Sequence, residues 1–366
     1  MMVAVPRTTL LKLLAIYAAC RGIILAFICL WSSPTSIARR IAAFDGAYYQ
    51  DIARSGYPQA LKPVYDAKLA FFPGYPLSTR FVSSCTELPL WAGQLAVSLL
   101  AGALATIAIA ALVSQVLDGE LGPRTALLWQ VAPQSFLLVI GYSEGLFVAT
   151  AALTLLLAWR QRWVSAGIAA ALASGVRPAG LVFVAVGAVA LLRSWRHERS
   201  LKPLALVLLA PLGALAYGAF LRAQTGSFTA WFTAERQGWG NHEDFGIAAV
   251  KFLGKSALHP TLHPWFDVVS LVILASVLLL IAMISMKLPL EWTVYAAGVL
   301  ALSLSSGVSA VGMFPRAAWT AFPLFVPLAA WAGRVSRSLR WPLGAASLGA
   351  ACALGVIVTT SSLITP

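Results

Sequence analysis

The amino-acid sequence predicts an all-α polytopic membrane protein, a bundle of about eleven transmembrane helices with short interfacial helices in its first outer loop. Three observations predict it. Hydrophobic residues make up 60% of the 366 residues and charged ones only 11%, too little polar surface to coat a soluble globule. Apolar segments of roughly 16 to 24 residues recur along the chain, separated by short basic connectors. The net charge of +13 is carried in those connectors rather than in a stripe that would grip nucleic acid, so no nucleic-acid partner is expected. The chain reads as one integral domain over residues 1–366, without an internal repeat or a low-complexity linker.

The first helix is expected at about 10–31, after Arg7 and Lys12. Tyr17-Ala18-Ala19-Cys20 comes near a lipoprotein cleavage box. The apolar stretch before it is short and the run continues to Trp31, so an uncleaved helix is expected. A large outer loop follows over about 32–89, then helices at about 90–113, 124–141 and 144–160. The segments at about 163–176 and 178–193 are short and read as a hairpin that does not cross at full thickness. A seventh helix at about 203–222 leads into a second large outer loop, about 223–265, and the last four helices fall at about 266–286, 290–308, 319–333 and 342–361.

Orientation follows from the basic residues. With the N-terminus cytoplasmic, the inner connectors hold Arg124, Arg160, Arg162, the cluster Arg193, Arg196, Arg199 and Lys202, then Lys287, Arg334, Arg337 and Arg340. The short outer connectors hold only Arg177 and Arg316, and most acids, including Asp45, Asp51, Asp66, Glu144, Glu235 and Asp244, fall outside. Function is therefore expected on the extracytoplasmic side of a cell membrane. The four cysteines suggest neither a disulfide framework nor a metal site. His259 and His263 stand four apart, but Pro260 and Pro264 interrupt the helix that would align them, so a structural loop is expected there.

The polar stretch FDGAYYQDIARSGYP, Phe44 to Pro58, stands out between apolar spans, followed by AFFPGYPL, Ala70 to Leu77. If Asp45 opens a helix, Tyr48, Tyr49 and Ile52 form an aromatic and apolar stripe beneath it. Asp51 is turned about 120° away and roughly 9 Å along the axis, so Asp45 is judged as a single base. An Asp in this position is equally a helix N-cap, and the two roles are compatible. Outside the cell membrane soluble activated sugars are scarce, so an enzyme there draws its activated group from a lipid. It needs a carboxylate to deprotonate an acceptor, cations for a departing phosphate, and aromatics around a ring.

Arg177 in SGVRPAG and Arg316 in GMFPRAAW each interrupt apolar sequence beside a proline, where a charge is costly unless paired or used. Each is a candidate phosphate ligand, or else an Arg that reaches headgroups or neutralises Glu144. Arg21, inside the first helix, is a weaker candidate. Glu144 in GYSEGLF is expected to contact substrate or to cap the fourth helix. Phe72 and Tyr75 in AFFPGYPL form an interfacial turn or a wall for sugar or lipid. Trp231, Phe232, Trp239 and His242 in the second loop invite the same choice.

FDGAYYQDIARSGYP with AFFPGYPL resembles the first luminal loop of the PIG-V family, the second mannosyltransferase of glycosylphosphatidylinositol anchor assembly and its prokaryotic relatives, in the GT-C glycosyltransferase superfamily. APQSFLLVIGYSEGLF, ASGVRPAGL, QTGSFTAWFTAERQGW and FPRAAWTAFPLFVPLA continue the resemblance in order to about Trp331. It implies a GT-C-type bundle and an inverting glycosyltransferase using a polyprenyl-phosphate sugar, usually mannose, with a lipid or glycan acceptor. The Asp of the first loop is the family's proposed base and maps to Asp45. Phe44 stands where the family often has Trp, and Tyr48 near a position where eukaryotic members have His. The chain is compact like prokaryotic members. Asp45 is thus expected to be catalytic and Arg177 and Arg316 to hold the donor phosphate. Tyr48, Tyr49, Asp51, Phe72, Tyr75, Tyr142, Glu144, Trp239 and His242 are expected to line the substrate site. Two arginines suffice for a phosphate of about two negative charges, so no obligatory metal or cofactor is expected. A transporter or flippase of lipid-linked sugar, or a noncatalytic subunit of a glycosylation complex, would use many of the same residues.

Overall fold

The computed structural model describes residues 5–31, 37–58, 66–258 and 264–360, so His259 and His263 lie outside the described residues. It is a helical bundle, with no strand among the described residues. Helix α1 (Arg7–Leu30) is followed by α2 (Ile37–Ile41), α3 (Asp45–Ser55), a 3-10 turn at Ala67–Ala70 and α4 (Gly74–Thr86), so the first large loop is built from short helices. Then come α5 (Leu90–Val116), α6 (Leu121–Val131), α7 (Glu144–Trp159), α8 (Trp163–Val176), α9 (Val182–Glu198), α10 (Leu204–Leu209) and α11 (Leu212–Thr225). The second loop supplies α12 (Ala230–Trp239) and α13 (Ile247–Leu258). The chain closes with α14 (Pro264–Ser285), α15 (Leu290–Leu304), α16 (Val308–Gly312), α17 (Phe314–Thr320), α18 (Phe325–Ala332) and α19 (Arg337–Thr360).

Six helical stretches among the described residues are long and apolar enough to cross a membrane: Arg7–Leu30, Leu90–Val116, Pro178–Glu198, Leu204–Thr225, Trp265–Ser285 and Ser338–Thr360. On α14, Leu271, Leu274, Leu278 and Ile281 all face outward, as a lipid-facing stripe requires. Each of the eleven expected segments has a helical counterpart, but several are broken, and the breaks fall at prolines. The run expected as one helix at 124–141 stops at Val131, because Pro133 drives Ala132 into an extended conformation (ψ 152°). A 3-10 turn, Pro133–Val139, then meets α7 at 105°. Pro178 likewise holds Arg177 extended (φ −150°, ψ 146°) after α8. Pro315 opens α17, and Pro323 lies in the 3-10 turn that separates α17 from α18. Irregular backbone at membrane depth is tolerated where protein buries it or where it lines a cavity, and Glu144, Arg177 and Arg316 all sit at such breaks.

The break after α6 is pinned from the core. Arg21 is buried on α1 and donates to the carbonyls of Gln130 and Ser135, satisfying acceptors that the interrupted helix leaves open. That fixes Arg21 as structural. Trp129 of α6 and Trp319 of α17 stack with centroids 4.9 Å apart, and each indole N–H donates to the other's carbonyl, at 3.3 and 3.0 Å. Tyr295 of α15 donates to Thr320 O at 2.9 Å. These buried ties lock the two broken segments together across 190 residues of sequence.

Candidate active site

The first loop is seated by close backbone approach. Gly46 of α3 lies where an added Cβ would stand 2.8 Å from Ile41 O and 3.3 Å from Gly141 O, and Gly141 N donates back to Ile41 O at 2.7 Å. Gln94 of α5 donates to Gly46 O at 2.8 Å. Gly74, in AFFPGYPL, abuts Gly175 and Val176, so that motif is packed against the end of α8 immediately before Arg177. In this way the two halves of the polar stretch meet GYSEGLF and SGVRPAG, which are distant in sequence.

Asp45 occupies the first turn of α3. The N-cap position belongs to Phe44, held at φ 47° and ψ −114°, a sparsely populated region for a non-glycine residue, and no side chain caps the helix there. The Asp45 carboxylate goes elsewhere: its Oδ2 accepts from Arg316 Nη1 at 3.0 Å. Arg316 also donates through Nε to Glu144 Oε1 at 2.7 Å and through Nη2 to the same oxygen. Arg177 Nη1 donates to Glu144 as well, and to Ser143 Oγ at 3.2 Å. Two carboxylates and two guanidiniums thus alternate in one chain, Asp45–Arg316–Glu144–Arg177. The Arg316 guanidinium lies over the Tyr142 ring, 4.9 Å from its centroid.

Exposure divides the four. The Glu144 side chain is fully buried and that of Arg316 is 9% exposed, whereas Asp45 and Arg177 keep 21% and 27%. Glu144 and Arg316 form the inner pair, and Asp45 and Arg177 the outer, more exposed one. Glu144 does pair with both arginines.

The expected substrate residues divide in the same way. Tyr49 is buried and donates to Ser143 Oγ at 2.9 Å. Tyr75 is buried too, bonded to Gln94 O at 3.0 Å and Ser98 Oγ at 2.8 Å, as a support for α3 rather than an exposed surface. Tyr48 stacks on Phe71 at 4.8 Å and meets Trp239 edge-on at 5.6 Å, which brings α12 over α3. Asp51 is not brought to the site: it pairs with Lys68 at 3.4 Å and Arg54 at 3.6 Å, on the side away from Asp45 that the turn of the helix requires. Phe72 also points elsewhere, packing on Tyr217 at 4.9 Å and Trp231 at 6.1 Å, while its neighbour Phe71 takes the place beside Tyr48 and Tyr49. His242 is exposed, with Nδ1 3.0 Å from Gly240 O.

Residues that sequence reasoning left outside the site include Ser143, Phe71 and, in the second loop, Glu235 and Asn241. Asn241 Nδ2 donates to Glu235 Oε2 at 2.9 Å. Burial and the negative charge of Asp45 push the Glu235 carboxyl up to about 7, opposed by the Asn241 hydrogen bond and the Arg177 charge. Among the described residues no group of three or more His, Cys, Asp or Glu is placed to hold a metal ion. The four cysteines are free.

No family model and no curated protein matches the sequence. Solved structures do match the fold. ArnT from Cupriavidus metallidurans bound to undecaprenyl phosphate aligns with a TM-score of 0.56 at 14% identity over 90% of this chain, and its apo state with 0.54 at 15% over 90%. This chain spans 61% of the length of ArnT in both cases. The Archaeoglobus fulgidus oligosaccharyltransferase tethered to an acceptor peptide aligns with 0.49 at 14%, over 96% of this chain and 55% of that one. The likeness to ArnT, at that identity, establishes architecture: the chain is a polytopic membrane bundle with a GT-C-type fold.

Proposed function

We propose that this chain is an inverting glycosyltransferase that moves a hexose, mannose by its resemblance to the PIG-V family, from a polyprenyl-phosphate donor to a hydroxyl of a lipid or glycan acceptor. The site would face the extracytoplasmic side, with the N-terminus cytoplasmic. The observation that carries the reading is the convergence of Asp45, Arg316, Glu144 and Arg177, drawn from four distant parts of a GT-C-type bundle into one partly open cluster.

In the proposed reaction Asp45 takes the proton of the acceptor hydroxyl as its oxygen attacks the anomeric carbon. The bond from that carbon to the donor phosphate oxygen breaks, and its electron pair leaves on the polyprenyl phosphate. The ion-pair chain couples these events. In the resting cluster the two guanidiniums are balanced by two carboxylates. When Asp45 becomes protonated, Arg316 loses one of its two counter-charges, so positive charge becomes available as the phosphate gains negative charge. Arg177, the more exposed guanidinium, would hold the phosphate from the start. Arg316 also borders a small, mostly apolar cleft with Phe136, Trp265, Leu354 and Val358, the side from which an apolar chain would bring its phosphate to the guanidinium. Because the arginines meet the phosphate directly, no divalent metal is proposed as obligatory.

Purified protein in detergent, incubated with labelled polyprenyl-phosphate mannose, is expected to release free polyprenyl phosphate by transfer or slow hydrolysis, and to do so with a chelator present. A transporter built on the same site would bind the donor and return it intact, and that result would overturn the enzymatic reading.

A further inference from the structure

Helix α12 lays one face over the first loop. Trp231 donates through Nε1 to Ala70 O at 3.1 Å, and Trp239 packs its ring against Tyr48 at 5.6 Å. Glu235 lies four residues from each, on the same face of the helix, and so is directed between those two contacts toward the helix that opens with Asp45. The chain then folds back: Gly240 takes a left-handed conformation (φ 70°) and Asn241 N donates to Glu235 O at 3.2 Å. This returns the Asn241 side chain to the Glu235 carboxyl. The far end of the segment is anchored as well, since Ser309 Oγ donates to Trp239 O at 2.9 Å and Asp244 N to Ser305 O at 3.0 Å.

The pair is incompletely satisfied. Asn241 uses its amide N–H on Glu235, but its Oδ1 is buried and has no hydrogen-bond partner. An orphaned acceptor beside a carboxyl is suited to a ligand that brings hydroxyl donors. We propose that Glu235 and Asn241 form a subsite for two neighbouring hydroxyls of a sugar ring, with Trp239 beside it as the apolar wall. The inference rests on the glycosyltransferase reading for its context but not for its chemistry. The upward displacement of the Glu235 carboxyl fits, since its protonated form can donate as well as accept.

The test measures binding of three probes to the purified protein: decaprenyl-phosphate mannose, decaprenyl phosphate without a sugar, and methyl α-mannopyranoside. Glu235→Ala and Asn241→Ala are each expected to weaken a sugar-bearing probe by about tenfold, the scale of one lost hydrogen bond to a buried partner. Glu235→Gln, which keeps a donor and an acceptor, should stay close to wild type. Affinity for bare decaprenyl phosphate should be unchanged in all three variants. A loss confined to decaprenyl-phosphate mannose assigns the subsite to the transferred sugar, and one confined to the methyl glycoside assigns it to an acceptor sugar. Unchanged affinity for both sugar-bearing probes, or an equal loss for bare decaprenyl phosphate, overturns the subsite. If wild-type protein ignores both polyprenyl phosphates yet binds the methyl glycoside in a Glu235-dependent way, the donor reading falls and the subsite stands.

Discussion

Arg316 places Nη1 3.0 Å from Asp45 Oδ2 across 271 residues of sequence, while its Nε and Nη2 hold Glu144. A planar guanidinium serves these two carboxylates in fixed directions at once, which a lysine ammonium on a flexible stem does not reproduce. Arg316→Lys is therefore expected to lower kcat/KM by about 10²-fold or more through misplacement of Asp45. Steady-state kinetics on polyprenyl-phosphate mannose check this, and near-normal activity would show that a point charge is enough.

Glu144 is fully buried between two arginines. Glu144→Gln keeps the shape and removes the shared counter-charge, leaving Arg316 and Arg177 short of one negative partner. A loss of about 3–5 kcal/mol is expected, the scale for breaking a buried ion pair from one side. Adding Arg177→Met should cost less than the two single changes summed, because both act on one cluster. Denaturation of the single and double variants in detergent reads this out, and additive losses would deny the coupling.

Gly46→Ala would drive a Cβ to 2.8 Å from Ile41 O, and Gly74→Ala would drive one to 2.7 Å from Val176 Cγ2 and 2.8 Å from Gly175 O. Backbone carbonyls cannot turn aside as a side-chain tip can, so about 1–3 kcal/mol of destabilisation is expected for each. Gly46→Ala should also reduce activity, since it moves the residue next to Asp45. Melting temperature and donor turnover, measured together, test both parts.

Glu235 gives stability a definite pH slope. Its folded carboxyl titrates near 7, above the ordinary 4.5, so between those values the folded state binds more protons than the unfolded one. Stability from this group is fully present below about 4.5 and is lost as pH rises toward about 7. The charged groups that act on it are Asp45 from α3 and Arg177 from the end of α8, with Tyr217 of α11 close enough to feel its charge. Melting temperature should fall across that window in the wild type, and the fall should be smaller in Glu235→Gln; identical slopes would remove Glu235 as its source.

Long apolar runs made the helical segments legible, and the contrast of FDGAYYQDIARSGYP with its surroundings made Asp45 legible. Arg177, Arg316 and Glu144 stood out because a charge in apolar sequence demands a partner, and the structure makes them one another's partners. What hydropathy does not encode is direction. The apolar run at 124–141 gave no sign of the stop after Val131, although Pro133 is its local cause, nor of the 105° bend between the 3-10 turn and α7. Phe71 and Phe72 are chemically equivalent neighbours, and only packing decides that Phe71 meets Tyr48 while Phe72 turns to Tyr217. Glu235 looked like one more outer acid. The signal that could have raised it is its spacing, four residues from both Trp231 and Trp239, which puts it on the aromatic face of an amphipathic helix.

Asp45→Asn in a single-turnover assay with labelled polyprenyl-phosphate mannose tests the central claim most directly. Asparagine still accepts a hydrogen bond from Arg316 but takes up no proton, so the variant is expected to bind the donor while transfer falls by about 10²–10⁴-fold, the scale of a lost general base. Release of polyprenyl phosphate at the wild-type rate would contradict the account.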